Sequence, residues 1–237
     1  MSAYRFPTIK ADRNALKAPF SHETLFLAIS ICFCYDIAKN MWSKSLTEVL
    51  YELELSGFIR IYAPYGKRSR GSLYQLVDFF TLFYFNFMKD SEMNNESFWI
   101  DIQGSGKQHA WSGYAFEQVC QWHIRQVKRA LGIEGVAASI WSWRSTTSDP
   151  GAQIDLIIDR SDGIINLCEI KYTNSEYNIT KEYDHKLRDR AAAFARETKT
   201  KKAVHQTFIT VYGLARNEYA YNVQSEVTAE TLFVFTR

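Results

Sequence analysis

The chain is poor in the residues from which a stapled or metal-clipped fold is built. It holds four cysteines in 237 residues, Cys32, Cys34, Cys120 and Cys168, with no CxxC pair and no histidine at the spacing of a zinc site. They are expected to be reduced core residues of a cytoplasmic protein. Long apolar runs are also missing. The stretch from Thr24 to Tyr35 is shorter than the roughly 20 residues a spanning helix requires, and Asp36 and Lys39 follow it closely, so a buried helix and no membrane association are expected. That run also starts too far from Met1, without a small-residue cleavage site, to read as a secretory signal. Charge of one sign is lacking too: a net charge of +2 does not mark a nucleic-acid binder, and any basic surface must be local. What is plentiful is apolar content, 46% of residues, enough for one large domain or two small ones.

Residues 1–22 mix Lys, Arg, Pro and small residues without periodicity and read as an arm or linker. Residues 23–90 read as a small winged-helix-like domain. A helix over 23–40 precedes a second from Ser45 to Ser56, where Ser45 and Glu48 form a capping box and Leu46, Val49, Leu50 and Leu53 an apolar stripe. Gly57 ends it, and strands over 58–62 and 72–77 flank a turn whose tip carries Lys67, Arg68 and Arg70. Those three side chains suit phosphate contacts. Glu48, Glu52 and Glu54 on the preceding helix would repel the phosphates lining a major groove, which argues against sequence reading. The aromatic run from Asp78 to Met88 predicts a buried helix, and Lys89 to Glu96 a linker. Trp99 to His109 reads as irregular. Its Gly104-Ser-Gly-Lys107 departs from the phosphate-loop pattern G-x-x-x-x-G-K-[ST], so neither nucleotide binding nor ATP hydrolysis is expected.

Residues 91–237 carry the chemistry. Helical spacing runs from Gly113 to about Leu131, a strand from Val136 to Trp143, and two further strands over Gln153–Asp159 and Ile164–Lys171, joined by the hairpin link Arg160-Ser-Asp-Gly163. A helix capped by Thr180 runs to Thr198, and a fourth strand from Ala203 to Tyr212. The order helix, three strands, helix, strand predicts an α/β (α+β) fold around one sheet. Alternation places Ile165, Leu167, Glu169 and Lys171 on one face of their strand. The hairpin then brings Asp155, Glu169 and Lys171 within reach of one another, and Glu117 lies on the preceding helix. Two carboxylates on neighbouring strands, backed by a third from a helix, make a hard-oxygen site suited to Mg²⁺ or Mn²⁺. A lysine beside them fits phosphodiester hydrolysis. The competing reading is an ordinary charged ladder on an edge strand. Lys181, Lys186 and Arg190, with His185 and Arg188, offer a phosphate-facing surface on the helix after Thr180, although Glu182, Asp184 and Asp189 on the same helix fit a solvated face equally well.

The strings Leu53-Glu-Leu-Ser-Gly-Phe-Ile-Arg60, Ser72-Leu-Tyr-Gln-Leu-Val-Asp-Phe-Phe80, Gly113-Tyr-Ala-Phe-Glu117, Ile154-Asp155 and Cys168-Glu-Ile-Lys-Tyr172 occur in this order. Through them the chain, over roughly Ser45 to Phe233, resembles the C-terminal half of a prokaryotic AAA/STAND-type ATPase family. In that family a P-loop ATPase precedes a winged helix and a restriction-endonuclease-like PD-(D/E)xK domain. The resemblance implies a restriction-endonuclease-like αβββαβ core with a central mixed sheet over residues 91–237. It makes Asp155 and Glu169 metal ligands with the backbone carbonyl of Ile170, Lys171 the catalytic lysine, and Glu117 a supporting acid. DNA is the implied substrate, and an ATPase domain or separate ATPase subunit the implied partner. This chain departs from the family in lacking the ATPase, and residues 1–44 do not follow the family's usual opening of the winged helix.

Overall fold

A computed structural model describes residues 9–10, 46–62, 65–66, 73–89, 97–145 and 152–234. The expected helix over 23–40, Cys32 and Cys34, and the basic residues Lys67, Arg68 and Arg70 lie outside the described residues. The chain divides into two compact units, one built from Arg5–Ala63 and Lys67–Asp101, the other chiefly from Pro64–Gly66 and Ile102–Arg237. Among the described residues, no helix is long and apolar enough to cross a membrane.

The smaller unit contains β1 (Ile9–Lys10), α1 (Leu46–Leu55), β2 (Ile59–Tyr62), β3 (Leu73–Leu76), α2 (Phe79–Phe83), a π-helical turn at Tyr84–Met88, and α3 (Phe98–Asp101). Its three strands form an antiparallel sheet in the order β1-β3-β2, so the expected arm contributes a strand through Ile9 and Lys10. Helix α1 stops where glycine predicts: Gly57 adopts φ +76°, and the amides of Gly57 and Phe58 bond the carbonyls of Glu54 and Leu53 at 3.0 Å. The aromatic run is helical as expected but only partly buried, with Phe80 and Tyr84 exposed, and it widens after Phe83. The Asn86 side chain donates to the Leu82 carbonyl at 2.7 Å, the acceptor its own amide would use in an α-helix. The next turn accordingly closes from Lys89 N to Tyr84 O at 2.9 Å, five residues apart.

The larger unit runs α4 (Gly106–Trp122), α5 (Ile124–Ala130), β4 (Ala138–Arg144), β5 (Gln153–Arg160), β6 (Ile164–Lys171), α6 (Lys181–Thr198), β7 (Ala203–Thr210), β8 (Ser225–Thr228) and α7 (Ala229–Leu232). The expected order is present, extended by an unforeseen fifth strand. Its sheet is mixed, in the order β4-β5-β6-β7-β8, with β4 to β6 antiparallel and β6 to β8 parallel. Residues 99–109 are irregular only over 102–105, between α3 and α4. Ser105 is extended and its hydroxyl accepts from Gln108 N at 3.2 Å, so α4 starts at Gly106, a full two turns before Gly113. The polar stretch Lys107-Gln-His109 hid that start from an apolar periodicity. The helix also breaks, at His123, whose backbone leaves the helical region (φ −100°, ψ 31°) and whose ring Nδ1 lies 2.8 Å from the Val119 carbonyl.

Helices cover both faces of the sheet. Leu156, Ile158, Cys168, Ile170, Ile209 and Val227 pack with Phe116 and Cys120 of α4 and Val127 of α5. On the other face Ile157, Ile165 and Leu167 pack with Ala193 and Phe194 of α6. Each such aliphatic side chain contributes about 1.5–3 kcal/mol on burial. The two clusters separate the alternate residues of β6 as the strand period requires. The hairpin pairs Leu156 with Cys168 and Asp159 with Ile165, and Gly163 takes φ +87° at the turn. β6 is the central strand, and Glu169 on it is 8% exposed, so the edge-ladder reading fails.

Candidate active site

Antiparallel pairing puts the first residues of β5 and the last residues of β6 at the same end of the sheet. The β5–β6 pairing ends at Leu156–Cys168, so Asp155 and Glu169 each lie one residue beyond it. The sheet is irregular at this point. Trp141 pairs with Ile157 but Trp143 with Ile154, so Ser142 on β4 faces both Asp155 and Leu156. The bulge has a consequence for facing: Ile154 packs with Ile157 in the α6-side cluster, although strict alternation would part them. It re-aims the chain where Asp155 emerges. The Asp155 carboxylate accepts a close hydrogen bond from the Gln153 amide, and Gln153 in turn accepts from Arg144 across the β4–β5 pair, at 3.1 Å from Nε and 2.5 Å from Nη2.

Glu169 is the most heavily committed group. Its Oε1 is 2.9 Å from Lys171 Nζ and accepts a short bond from the Tyr183 hydroxyl. Its Oε2 receives Arg190 Nη1 at 2.6 Å. The Lys171 ammonium also stands 5.0 Å from the centre of the Tyr183 ring. Tyr183 and Arg190 are seven residues apart, two turns, and so lie on one side of α6. The expected acid and lysine thus share a face and touch, and α6 supplies two further members.

Electrostatics binds Glu117 to this group. Burial, the Asp155 charge and, more weakly, Glu169 push its carboxyl up to about 8, with Lys171 opposing. Asp155 reaches solvent, yet protein crowds it closely enough that desolvation raises its pKa, with Glu169 adding and Gln153, Arg190 and Lys171 opposing. For Glu169 burial acts upward as well, but Lys171, Arg190 and Tyr183 outweigh it and hold the carboxyl below the usual range. Burial works against the Lys171 charge, and Glu169 reverses this and raises it. At neutral pH Glu117 is therefore protonated, and Glu169 is held as a carboxylate against Lys171 and Arg190.

The donor set is all oxygen, which fits a hard divalent ion. Asp155 raises the Glu117 pKa, a repulsion between ionised carboxylates that such an ion would relieve. As the side chains stand, no three His, Cys, Asp or Glu among the described residues form a metal-holding group, and Glu169 is turned to its cations instead. Ile170 sits between Glu169 and Lys171 with its side chain in the α4-side core. Of the surface expected on α6, Lys181 and Lys186 are exposed, whereas Arg190 is turned inward. Sequence reasoning missed Gln153 and Tyr183. Gln153 was two residues from Asp155 on the same strand, and Tyr183 was in helical register with Arg190, but neither spacing says that the side chains meet an acid.

No family model matches the chain, and no curated protein matches it. Among solved structures it is similar to the crystal structure of a protein of unknown function, AF1548. The match has 16% identity over 48% of this chain and 64% of that chain, with a TM-score of 0.34, a likeness too slight to define a fold.

Proposed function

We propose that the larger unit is a Mg²⁺- or Mn²⁺-dependent nuclease domain that hydrolyses DNA phosphodiester bonds, built on a restriction-endonuclease-like αβββαβ core. The observation that carries this reading is the gathering of Glu117, Asp155, Glu169 and Lys171 at one end of a mixed sheet, with Lys171 Nζ 2.9 Å from Glu169. The element order and the parallel β6–β7 pair support the core assignment. A bound divalent ion would polarise a phosphoryl oxygen and lower the pKa of a water. Asp155, Glu169 and the Ile170 carbonyl are the groups to hold it. Lys171, partly open to solvent, places a fixed positive charge where negative charge develops on the phosphate. Gln153 orients the Asp155 carboxylate, and Glu117 keeps its proton on the carboxyl at neutral pH, ready to donate a hydrogen bond.

In the same proposal the smaller unit is winged-helix-like and holds DNA, with Lys67, Arg68 and Arg70 as phosphate contacts; Lys181 and Lys186 on α6 of the larger unit are phosphate contacts as well, and an ATPase subunit or domain is the partner of a cytoplasmic assembly. The protein is to be incubated with linear, circular, single-stranded and branched DNA in Mg²⁺ or Mn²⁺, beside an Asp155→Ala/Glu169→Ala variant. Metal-dependent cleavage by the wild type alone is expected. Equal activity of the two proteins would falsify the reading. A second reading, a non-catalytic DNA- or protein-binding module, is favoured by one observation: both oxygens of Glu169 are already occupied. DNA binding without cleavage in either metal would select it.

A further inference from the structure

We propose that Arg190 is a latch on this site: paired with Glu169, it keeps that carboxylate from a divalent ion until a phosphate of the nucleic acid draws the guanidinium away. The inference rests on the nuclease reading and adds its control. Glu169 presents two oxygens, and Arg190 holds Oε2 at 2.6 Å while Lys171 and Tyr183 share Oε1. The pair is partly buried, with side-chain exposures of 22% for Arg190 and 10% for Glu169, so salt screens it less than a surface pair. A divalent ion entering the site must therefore displace a cation from Glu169.

Tyr183 bonds both cations, and Arg190 is the one carried by another element. Lys171 is two residues from Glu169 on the same central strand, and its ammonium is held against the Tyr183 ring. Arg190 reaches Glu169 from another element through a long side chain, and its planar fork matches a phosphate in two-bonded geometry better than a single carboxylate oxygen. An incoming phosphate then makes two changes at once: it removes the competitor from Glu169 and supplies a further oxygen ligand. Metal and nucleic acid should bind with positive coupling, each strengthening the other by the same factor.

The test is Mn²⁺ binding to the full chain, read by electron paramagnetic resonance of the free ion, with and without a short phosphorothioate duplex whose own Mn²⁺ uptake is subtracted. Folding of each protein is checked by its melting transition. Without duplex, Arg190→Gln should bind Mn²⁺ about ten- to a hundredfold more tightly than wild type, the equivalent of one charge-assisted hydrogen bond no longer to be broken. The duplex should tighten Mn²⁺ binding to wild type and add little to the variant. Arg190→Lys, which keeps the charge, should stay near wild type. Arg188→Gln removes a charge from the same helix at a residue paired with Asp184 at 2.7 Å, and should also match wild type. If Arg190→Gln gains no affinity while wild type binds Mn²⁺, the latch is wrong and the metal site stands. Duplex-independent Mn²⁺ binding by wild type overturns the latch without recourse to a variant. No Mn²⁺ binding by any of the proteins, with duplex or without, overturns latch and metal site together.

Discussion

Glu117 holds its proton up to a pH of about 8, and the sign of the consequence follows from linkage. Its folded pKa lies above the unfolded value, so its contribution to stability is complete below about pH 4.5 and is lost as pH rises through about 8. Glu117→Gln, which cannot ionise, should therefore gain on wild type as pH rises from 5 to 9 in metal-free buffer. The gain is a few kcal/mol at most, since a tenfold change in proton affinity corresponds to about 1.4 kcal/mol. Urea unfolding of both proteins across that range measures it, and a constant difference contradicts the assignment. Gln118, the next residue, is fully buried, and neither atom of its amide has a hydrogen-bond partner among the described residues. Gln118→Leu should stabilise the fold by about 1–3 kcal/mol, read as a raised urea midpoint; a lowered one would mean the amide is satisfied. Glu117 was legible in the sequence because it stood in an apolar-periodic helix before an acid-bearing hairpin. The inward turn of Arg190 was not, since a helix sequence alone cannot say which of its cations meets a carboxylate on a strand.

Two elements fix the site's geometry. Helix α6 lies against the sheet through Phe194, fully buried and 5.0 and 5.5 Å from the ring centres of Tyr65 and Trp143. Phe194→Ala should cost about 3–5 kcal/mol. A loss below about 1 kcal/mol in chemical unfolding would show that α6 is seated by something else. The loop after β7 is set by Gly213, at φ +98°, and by Glu226, whose Oε1 accepts the Leu214 amide at 2.6 Å. A Cβ on Gly213 would lie 2.7 Å from that same oxygen. Gly213→Ala should thus lose about 1–3 kcal/mol, and an unchanged melting temperature would contradict this account of the loop. The hairpin and the faces of β6 were readable because a strand period of two is rigid and Gly163 marks the turn. The bulge at Asp155 and Leu156 was not, because it depends on pairing with β4. The same limit hid the π-helical turn at Tyr84: an aromatic run reads as helix whatever its pitch, and the carbonyl taken by Asn86 is a side-chain event.

At the scale of the molecule, each of the two units has its own sheet, and the carboxylate cluster belongs to the larger one. The order of elements there could be read from periodicity, whereas β8 could not: Ser225–Thr228 is four residues long, and only Val227 is fully buried. The account's central claim is that this cluster cleaves DNA rather than merely holding it. The direct measurement is cleavage rate and binding affinity on one duplex in Mn²⁺, for wild type and Asp155→Asn. The account predicts that both proteins bind the duplex alike while the variant cleaves at least about a hundredfold more slowly, as expected when a group stabilising the transition state is lost. Equal rates, or tight binding by wild type with no cleavage, would contradict it.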